Sequence, residues 1–385
     1  MVLTDEQKKV IKSTAPVLKE HGKQITSVFY KHIQEAHPEL RNYFNQSNQT
    51  TGTQPLALAH TLYCAAEHID NLEVLMPQVQ QIANKHRALL VKPEHYPIVG
   101  KFLLEAIAEV LGSQATPEIL EAWKAAYSVI SSIFIGLEKE MYAKLGDSDK
   151  AYAEYKIVKK DTIASGPTVA VTLERADGGK LVDYQPGQYI VVRLEKDGLF
   201  HNRFYGLTEP SNGKTYSIVL KQEADNASNA TVSNEIINNR DVGSTVLVSV
   251  PSGTFGLVKD AKHHVLIGGG VGIGPIKAMV EALHAEGKSA SATLVHCVRT
   301  ADHAAFADKL RAAVSDGQYL LLTADNPISK AAIGSKLTPD SHVYVSGSEA
   351  FVTIVDKVLG ECGHPKSQIH TEAIGPTLSI LNRCC

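Results

Sequence analysis

The chain has 385 residues, a mass of 41.6 kDa and a net charge of −3, with 44% hydrophobic and 21% charged residues. That length suits two or three domains, and the near-average composition excludes collagen-like, mucin-like and fully disordered chains. The small net charge excludes a nucleic-acid or acidic-membrane surface spread along the whole chain.

Residues 1 to about 145 read as helical, with few glycines and almost no strand-like alternation. Tyr30 lies in the helical stretch Ser27-Val-Phe-Tyr-Lys-His-Ile, and His37-Pro38 opens a turn that ends in the aromatic Phe44. Gln54 and Leu58 are four residues apart and share a helix face. Val79, Ile82, Ala83 and His86 fall at i, i+3, i+4 and i+7, which predicts a helix with His86 on its apolar face. Position alone leaves two readings of His86 open: a core histidine satisfied by a backbone carbonyl, or a metal ligand. A further helix begins at Thr116-Pro117 and runs through Trp123, Tyr127, Ile130, Phe134 and Leu137. The stretch from Leu145 to Lys150 reads as a helix stop and linker.

From about 151 to 258 the pattern becomes short strands, beginning near Tyr155, Pro167, Gln188, Tyr216 and Ser244 and broken by turns such as Asp177-Gly178-Gly179, Pro186-Gly187 and Asn212-Gly213. Such spacing predicts a small antiparallel barrel. From about 259 strands alternate with helices, which predicts a parallel α/β sheet. Its strands begin at His264, Ala292, Tyr319 and His342, and its helices span about 276–285, 302–314 and 349–360. The expected domains are therefore 1–146, 151–258 and 259–385.

The helical part resembles the globin family in the corner proline Pro38, Phe44, Gln54 and His86. The run from Lys85-His86 through Pro93 and Tyr96 to Gly100, with Ala122-Trp123 through Glu138, is similar to the flavohaemoglobins, and the resemblance covers essentially the whole chain. It implies that His86 ligates the iron of haem b. Tyr96 and Glu138 would then hold its other ring nitrogen, making the imidazole more electron-donating. It further implies that Tyr30 and Gln54 donate to dioxygen on the distal side, and that Phe44 and Leu58 pack on the haem.

The remainder resembles the ferredoxin–NADP reductase family. Pro186-Gly187-Gln188-Tyr189 and Arg203-Phe204-Tyr205-Gly206 look like its FAD motif, with Arg203 on the diphosphate and Tyr205 on the flavin ring. Thr231-Val232-Ser233-Asn234 looks like a second phosphate site at a helix start. The glycine-rich strand–loop–helix segment that includes Gly270, Val271, Gly272, Ile273, Gly274 and Pro275 is similar to its NAD(P) loop. Glu372, Ala373, Ile374, Gly375 and Pro376 match its tail, and Lys85 and Glu372 are implied near a haem–flavin junction. Four positions depart from the family pattern. Gly206 replaces a serine, Gly274 a threonine, Ser346 a cysteine and Ile374 an aromatic. Read as lost contacts, these departures predict loosened FAD, tightened again by Gly206→Ser or Ile374→Phe. The second strand of the α/β part ends in Arg299-Thr300 without an acidic residue before Asp302, which favours NADPH over NADH.

The implied activity is nitric oxide dioxygenation to nitrate, with electrons passing from NAD(P)H through FAD to haem. The alternative is a gas sensor or oxygen-binding globin with a weakened reductase; a third reading is a flavin reductase with a globin scaffold. No apolar run approaches the ~18–20 residues that a spanning helix needs, and the opening MVLTDEQKKV carries charges where a secretory signal is apolar. The five cysteines are too few and scattered for a disulfide framework. A cytoplasmic monomer without nucleic-acid or membrane partners is expected, with Cys384-Cys385 as an unmodified tail.

Overall fold

The computed structural model describes residues 2–44, 52–146, 151–224 and 230–374, without the side chains of Ala230 and Ile374. Gly375, Pro376, Cys384, Cys385 and residues 147–150 of the expected linker lie outside the described residues. The chain forms two compact units. One holds the N-terminal residues to Lys150 together with Glu195–Asn202; the other holds Ala151–Leu194 and the residues from Arg203 to Gly375.

The first unit is built from α1 (Asp5–Ser13), α2 (Ala15–Ala36), α3 (Thr53–Glu67), α4 (Met76–Leu89), α5 (His95–Leu111) and α6 (Pro117–Ala143). The Thr4 hydroxyl and the Gln7 side chain close a capping box on α1. Thr116 caps α6, its hydroxyl accepting from the Ile119 amide, with Pro117 in the first turn as its sequence implied. Ile11, Ile25, Phe29, Ile33, Ile107 and Trp123 form the buried centre. The Trp123 indole donates to Thr14 Oγ1 at 3.1 Å, so its polar edge is satisfied inside the core. Among the described helices, α6 is long and apolar enough to cross a membrane by length and composition, which corrects the reading from apolar runs. Its buried face carries Ala122, Trp123, Ala126, Phe134 and Glu138. Phe200 and Asn202 each donate to Asn42, at 2.8 and 2.7 Å, so the segment Glu195–Asn202 is hydrogen-bonded into the helical unit that contains it.

The second unit holds two sheets, apart from the ends of β3 and β4 within Glu195–Asn202. β1 (Ala153–Ala164), β2 (Thr168–Arg175), β3 (Tyr189–Lys196), β4 (Leu199–Gly206), β5 (Tyr216–Lys221) and β6 (Thr245–Val248) lie in the order β4-β3-β6-β1-β2-β5. A bridge between Leu207 and Ile218 brings the two outer strands together, which is the closure expected of a small barrel. The second sheet, β7 (His263–Gly269), β8 (Ala292–Cys297), β9 (Tyr319–Leu322), β10 (Ser341–Ser348) and β11 (Ile369–Ile374), is parallel in the order β11-β10-β7-β8-β9. Helix α7 (Ala230–Asn239) belongs to the barrel; α8 (Ile273–Ala285) covers one face of the parallel sheet and α11 (Glu349–Glu361) the other, with the short α9 (Ala307–Ala313) and α10 (Lys330–Ile333) between them in sequence.

Two helix expectations shift. α8 starts at Ile273 rather than 276, because a proline in the first turn gives up only an amide that has no partner there. The helix expected over 302–314 breaks into a short turn, Ala301–His303, and α9, because Phe306 takes a left-handed conformation (φ 63°) at the N-cap of α9.

Candidate functional site

In the helical unit the sequence-predicted residues converge on the end of α4. Leu90 stops that helix in the left-handed region, and the Val91 amide turns back to donate to the His86 carbonyl at 2.9 Å. His86 is thereby fixed in the last turn. Its Nδ1 lies 2.9 Å from Glu138 Oε1 and 3.0 Å from the Tyr96 hydroxyl. Tyr96 itself donates to the same carboxylate oxygen at 2.5 Å. Glu138 is only 3% exposed, so burial and the bond to this carboxylate push the Tyr96 phenol well above its ordinary range. Tyr127 donates to the Tyr96 carbonyl at 2.7 Å and holds the start of α5 in place. With Nδ1 committed, the Nε2 edge is left for a ligand bond; no described residue pairs with it. An apolar cavity lined by Cys64, Val79, Ile82, Ile130, Ile133 and Phe134 adjoins this site, and Phe134 packs on His86 with ring centroids 5.5 Å apart. An imidazole with one oriented nitrogen beside an apolar cavity suits a haem.

In the core between the helices, Tyr30 is buried, its ring 5.3 Å and edge-on from Phe44. Burial pushes its phenol up to about 12, and a hydrogen bond with Gln54 offsets part of that. Leu58 packs into the same core. The close crossing of α2 and α3 explains this meeting: a Cβ on Gly22 would lie 3.1 Å from the Ala59 Cβ, and Thr26 donates to the Pro55 carbonyl at 2.7 Å. Tyr30, Phe44, Gln54 and Leu58, grouped by the resemblance, thus lie together in this core. Lys85 lies beside His86 in α4.

In the second unit, Arg203 and Tyr205 share a face of β4. Arg203 is 4% exposed, and burial lowers its pKa. Burial raises the Tyr205 phenol to about 12, and its hydroxyl lies 2.9 Å from Ser233 Oγ in the first turn of α7. A buried guanidinium beside two hydroxyls and a helix start suits a diphosphate. Asn234 and Glu223 exchange two hydrogen bonds, at 2.9 and 3.0 Å, that hold this turn. Phe204, on the other face, meets Tyr189 edge-on at 5.3 Å.

The glycine-rich turn leaves β7 through Gly270, which is left-handed (φ +55°) with open space where a Cβ would stand. A Cβ on Gly272 would come within 2.4 Å of the Ser346 carbonyl, and one on Gly274 within 3.2 Å of Thr208 and Val219. Val271 and Ile273 complete the turn into α8. Gly206 gives a correction. A Cβ there would lie 2.6 Å from Pro275 Cδ and 2.9 Å from its Cγ, so a serine has no room. Gly206 and Gly274 lie in one tight packing, so a serine at 206 requires Pro275 to move, and a tighter FAD does not follow from adding its hydroxyl. Ser346 is fully buried at the end of β10, in register between Gly268 and Glu372. Glu372 and Ala373 lie in β11, and Ile374 ends it.

Arg299 is exposed, just past β8. Thr300, beside Arg299 in the segment that favours NADPH, gives its hydroxyl to Asp302, and its Oγ1 lies 2.7 Å from His303 Nδ1. Hydrogen bonds from Thr300 and Ser165 lower the Asp302 carboxyl to about 2. Sequence distance placed Asp302 out of reach, whereas the turn folds it back.

Lys277, fully buried in α8, escaped notice in the sequence; its one visible signal is the i, i+4 pairing with Glu281.

The family model of globins matches residues 14–134, and that of the oxidoreductase NAD-binding domain matches residues 266–357. The flavohemoprotein of Oceanobacillus iheyensis is 37% identical, with 98% of this chain and 97% of that protein covered. That of Bacillus subtilis is 34% identical, with 98% and 99% covered. A crystal structure of flavohemoglobin from Malassezia yamatoensis, with bound FAD and heme, superposes with a TM-score of 0.88 at 28% identity, covering 97% of this chain and all of that one. The globin cradle at His86, the barrel and the parallel sheet all lie within these matches, and the chain belongs to the flavohemoprotein family.

Proposed function

We propose that the chain is a cytoplasmic, monomeric nitric oxide dioxygenase: nitric oxide, dioxygen and one electron give nitrate, and the electrons come from NAD(P)H. The observation that carries this reading is the His86–Tyr96–Glu138 arrangement. A buried carboxylate on Nδ1 makes the imidazole a stronger donor than a carbonyl-bonded one, which favours oxygen activation over storage. When bound, haem supplies an oxygen-reactive iron and FAD divides a hydride into single electrons. His86 would hold the iron, and Arg203, Tyr205 and Ser233 the FAD diphosphate. Tyr30 and Gln54 face the reacting gases as donors, and Phe44 and Leu58 exclude water from them. The open turn at Gly270 and the start of α8 would receive the nucleotide. The matched packing of Gly206 on Pro275 favours a working reductase over an eroded one. The test is oxygen-dependent nitric oxide consumption driven by NADPH with nitrate as product. Consumption without nitrate, or none above the rate without NADPH, overturns the reading.

Tyr30→Phe removes one donor. A hydrogen bond contributes about 0.5–1.5 kcal/mol, so dioxygen dissociation from the reduced protein is expected to speed about 2–13-fold by flash photolysis. An unchanged rate removes Tyr30 from the distal role.

Arg299 carries the nucleotide preference. Asp302 is committed to Thr300 and Ser165, which leaves the exposed guanidinium to meet a 2′-phosphate. One charge-assisted bond contributes about 1.5–3 kcal/mol, so Arg299→Ala is expected to raise KM for NADPH about tenfold or more and leave that for NADH nearly unchanged. Equal loss with both nucleotides shows that Arg299 does not read the phosphate.

A further inference from the structure

Lys277 is 1% exposed, in a helix whose neighbouring positions are apolar. An ammonium is taken out of water only where partners replace its hydration. Here Nζ lies 2.6 Å from Glu281, one turn on in α8, and 3.8 Å from Glu209, and it donates to the Thr208 carbonyl at 3.0 Å. The Phe306 ring lies 5.2 Å away. Its partners therefore come from α8 itself, from the segment that follows β4, and from the turn before α9.

The segment after β4 is the one that matters. It leaves the last residue of β4, Gly206, directly beyond Arg203 and Tyr205, and with Gly206 it is the surface on which Gly274 and Pro275 pack. Lys277 stands two and three residues along from those contacts and bonds to Thr208 and Glu209, so one side chain closes the seam that the two glycines open. At that seam Gly206 packs on the Pro275 ring, and Gly274 on Thr208 and Val219. These van der Waals contacts set the spacing and carry no polar direction of their own. The ion pair and the carbonyl bond supply the missing direction.

We propose that Lys277 is a positioning residue for hydride transfer, holding the nucleotide-side start of α8 in one register against the flavin-side segment Gly206–Glu209. The inference rests on the reading of these two edges as FAD and NAD(P)H sites. Hydride transfer needs reacting atoms about 3–3.5 Å apart, and a misplacement of about 1 Å costs on the order of a hundredfold. A residue that fixes register is therefore expected to act on the rate rather than on affinity.

The experiment compares the full-length parent with Lys277→Met, which keeps the length and apolar stem and removes the charge. Anaerobic stopped-flow reduction of the flavin over a range of NADPH concentrations separates the limiting rate from the apparent dissociation constant. FAD titration and hydrogen exchange of the amides in 206–209 and 273–277 are read on the same samples. The limiting rate is expected to fall about 10–100-fold, with nucleotide and FAD affinities within about threefold and faster exchange in both segments. Should Lys277→Met not fold, the double variant Glu209→Gln with Glu281→Gln loosens the same tie from its acceptor side and is expected to give the same split. A limiting rate within about twofold of the parent, or a loss explained wholly by weaker FAD, overturns the proposal. A parent whose flavin NADPH does not reduce overturns instead the reductase reading on which the proposal stands.

Discussion

Purified His86→Ala protein is expected to show no stoichiometric haem, read as loss of the Soret band against protein absorbance. No other described imidazole shares this cradle: His86 alone has its Nδ1 held by Glu138 and Tyr96, and it packs on Phe134, which lines an apolar cavity. The partners carry part of the effect. Losing a hydrogen-bond partner of a ligating histidine typically costs 10–100-fold in affinity or activity, so Glu138→Ala is expected to accelerate haem transfer to an acceptor globin by about that factor. It also removes the buried acceptor that the Tyr96 hydroxyl and the His86 ring nitrogen share, leaving them only each other, at about 1–3 kcal/mol. For a helical unit of this size, that is about 2–12 °C off the melting temperature. Glu138→Gln keeps an acceptor and is expected to fall between parent and Glu138→Ala on both measures. Full haem content in His86→Ala would show that another residue ligates the iron.

Gly206→Ser is expected to destabilise the reductase unit and to leave FAD no tighter. The new Cβ would stand 2.6 and 2.9 Å from two carbons of the Pro275 ring, distances that require movement. A proline ring fused into the first turn of α8 has no rotamer to retreat to, so the helix or β4 must shift. Overpacking of this kind costs about 1–3 kcal/mol, or about 2–12 °C for a unit of this size, measurable by differential scanning fluorimetry. Pairing it with Pro275→Ala is expected to recover most of the loss, because the two substitutions meet at one contact and are not additive. A serine variant that melts no lower and binds FAD more tightly would restore the reading of Gly206 as a lost hydrogen-bond donor.

Local signals in the chain carried the helical cradle well. The spacing of Val79, Ile82, Ala83 and His86 and the cap at Thr116-Pro117 depend on residues within a turn or two, and α4 and α6 follow them. The strands beginning near Tyr155, Tyr216 and His342 were visible for the same reason. What stayed hidden depends on residues far apart in sequence. The contact between Gly206 and Pro275 spans the two sheets, so a glycine that looked like a missing hydroxyl proved to be a packing surface. Asp302 was discounted by its distance from β8, yet the turn at Ala301–His303 returns it to Thr300. Lys277 reads as an ordinary helix-surface lysine until the segment at Thr208 closes over it. β11 pairs only with a strand some 20 residues earlier, which no local pattern announces.

The membership of Glu195–Asn202 in the helical unit bears on how such a protein can be taken apart. Among the described residues the polypeptide passes between its two units at about 150, 194 and 202, so no single cut separates them. A gene truncated after Lys150 would encode a globin whose Asn42 had lost both the Phe200 amide and the Asn202 amide that it accepts. Exchanging reductases between relatives by a single crossover would split that tongue of chain from its host. Recombination would preserve the pairing only when the new reductase brought a matching insert, so that the eight residues and the corner at Asn42 are expected to travel through evolution as one inherited block.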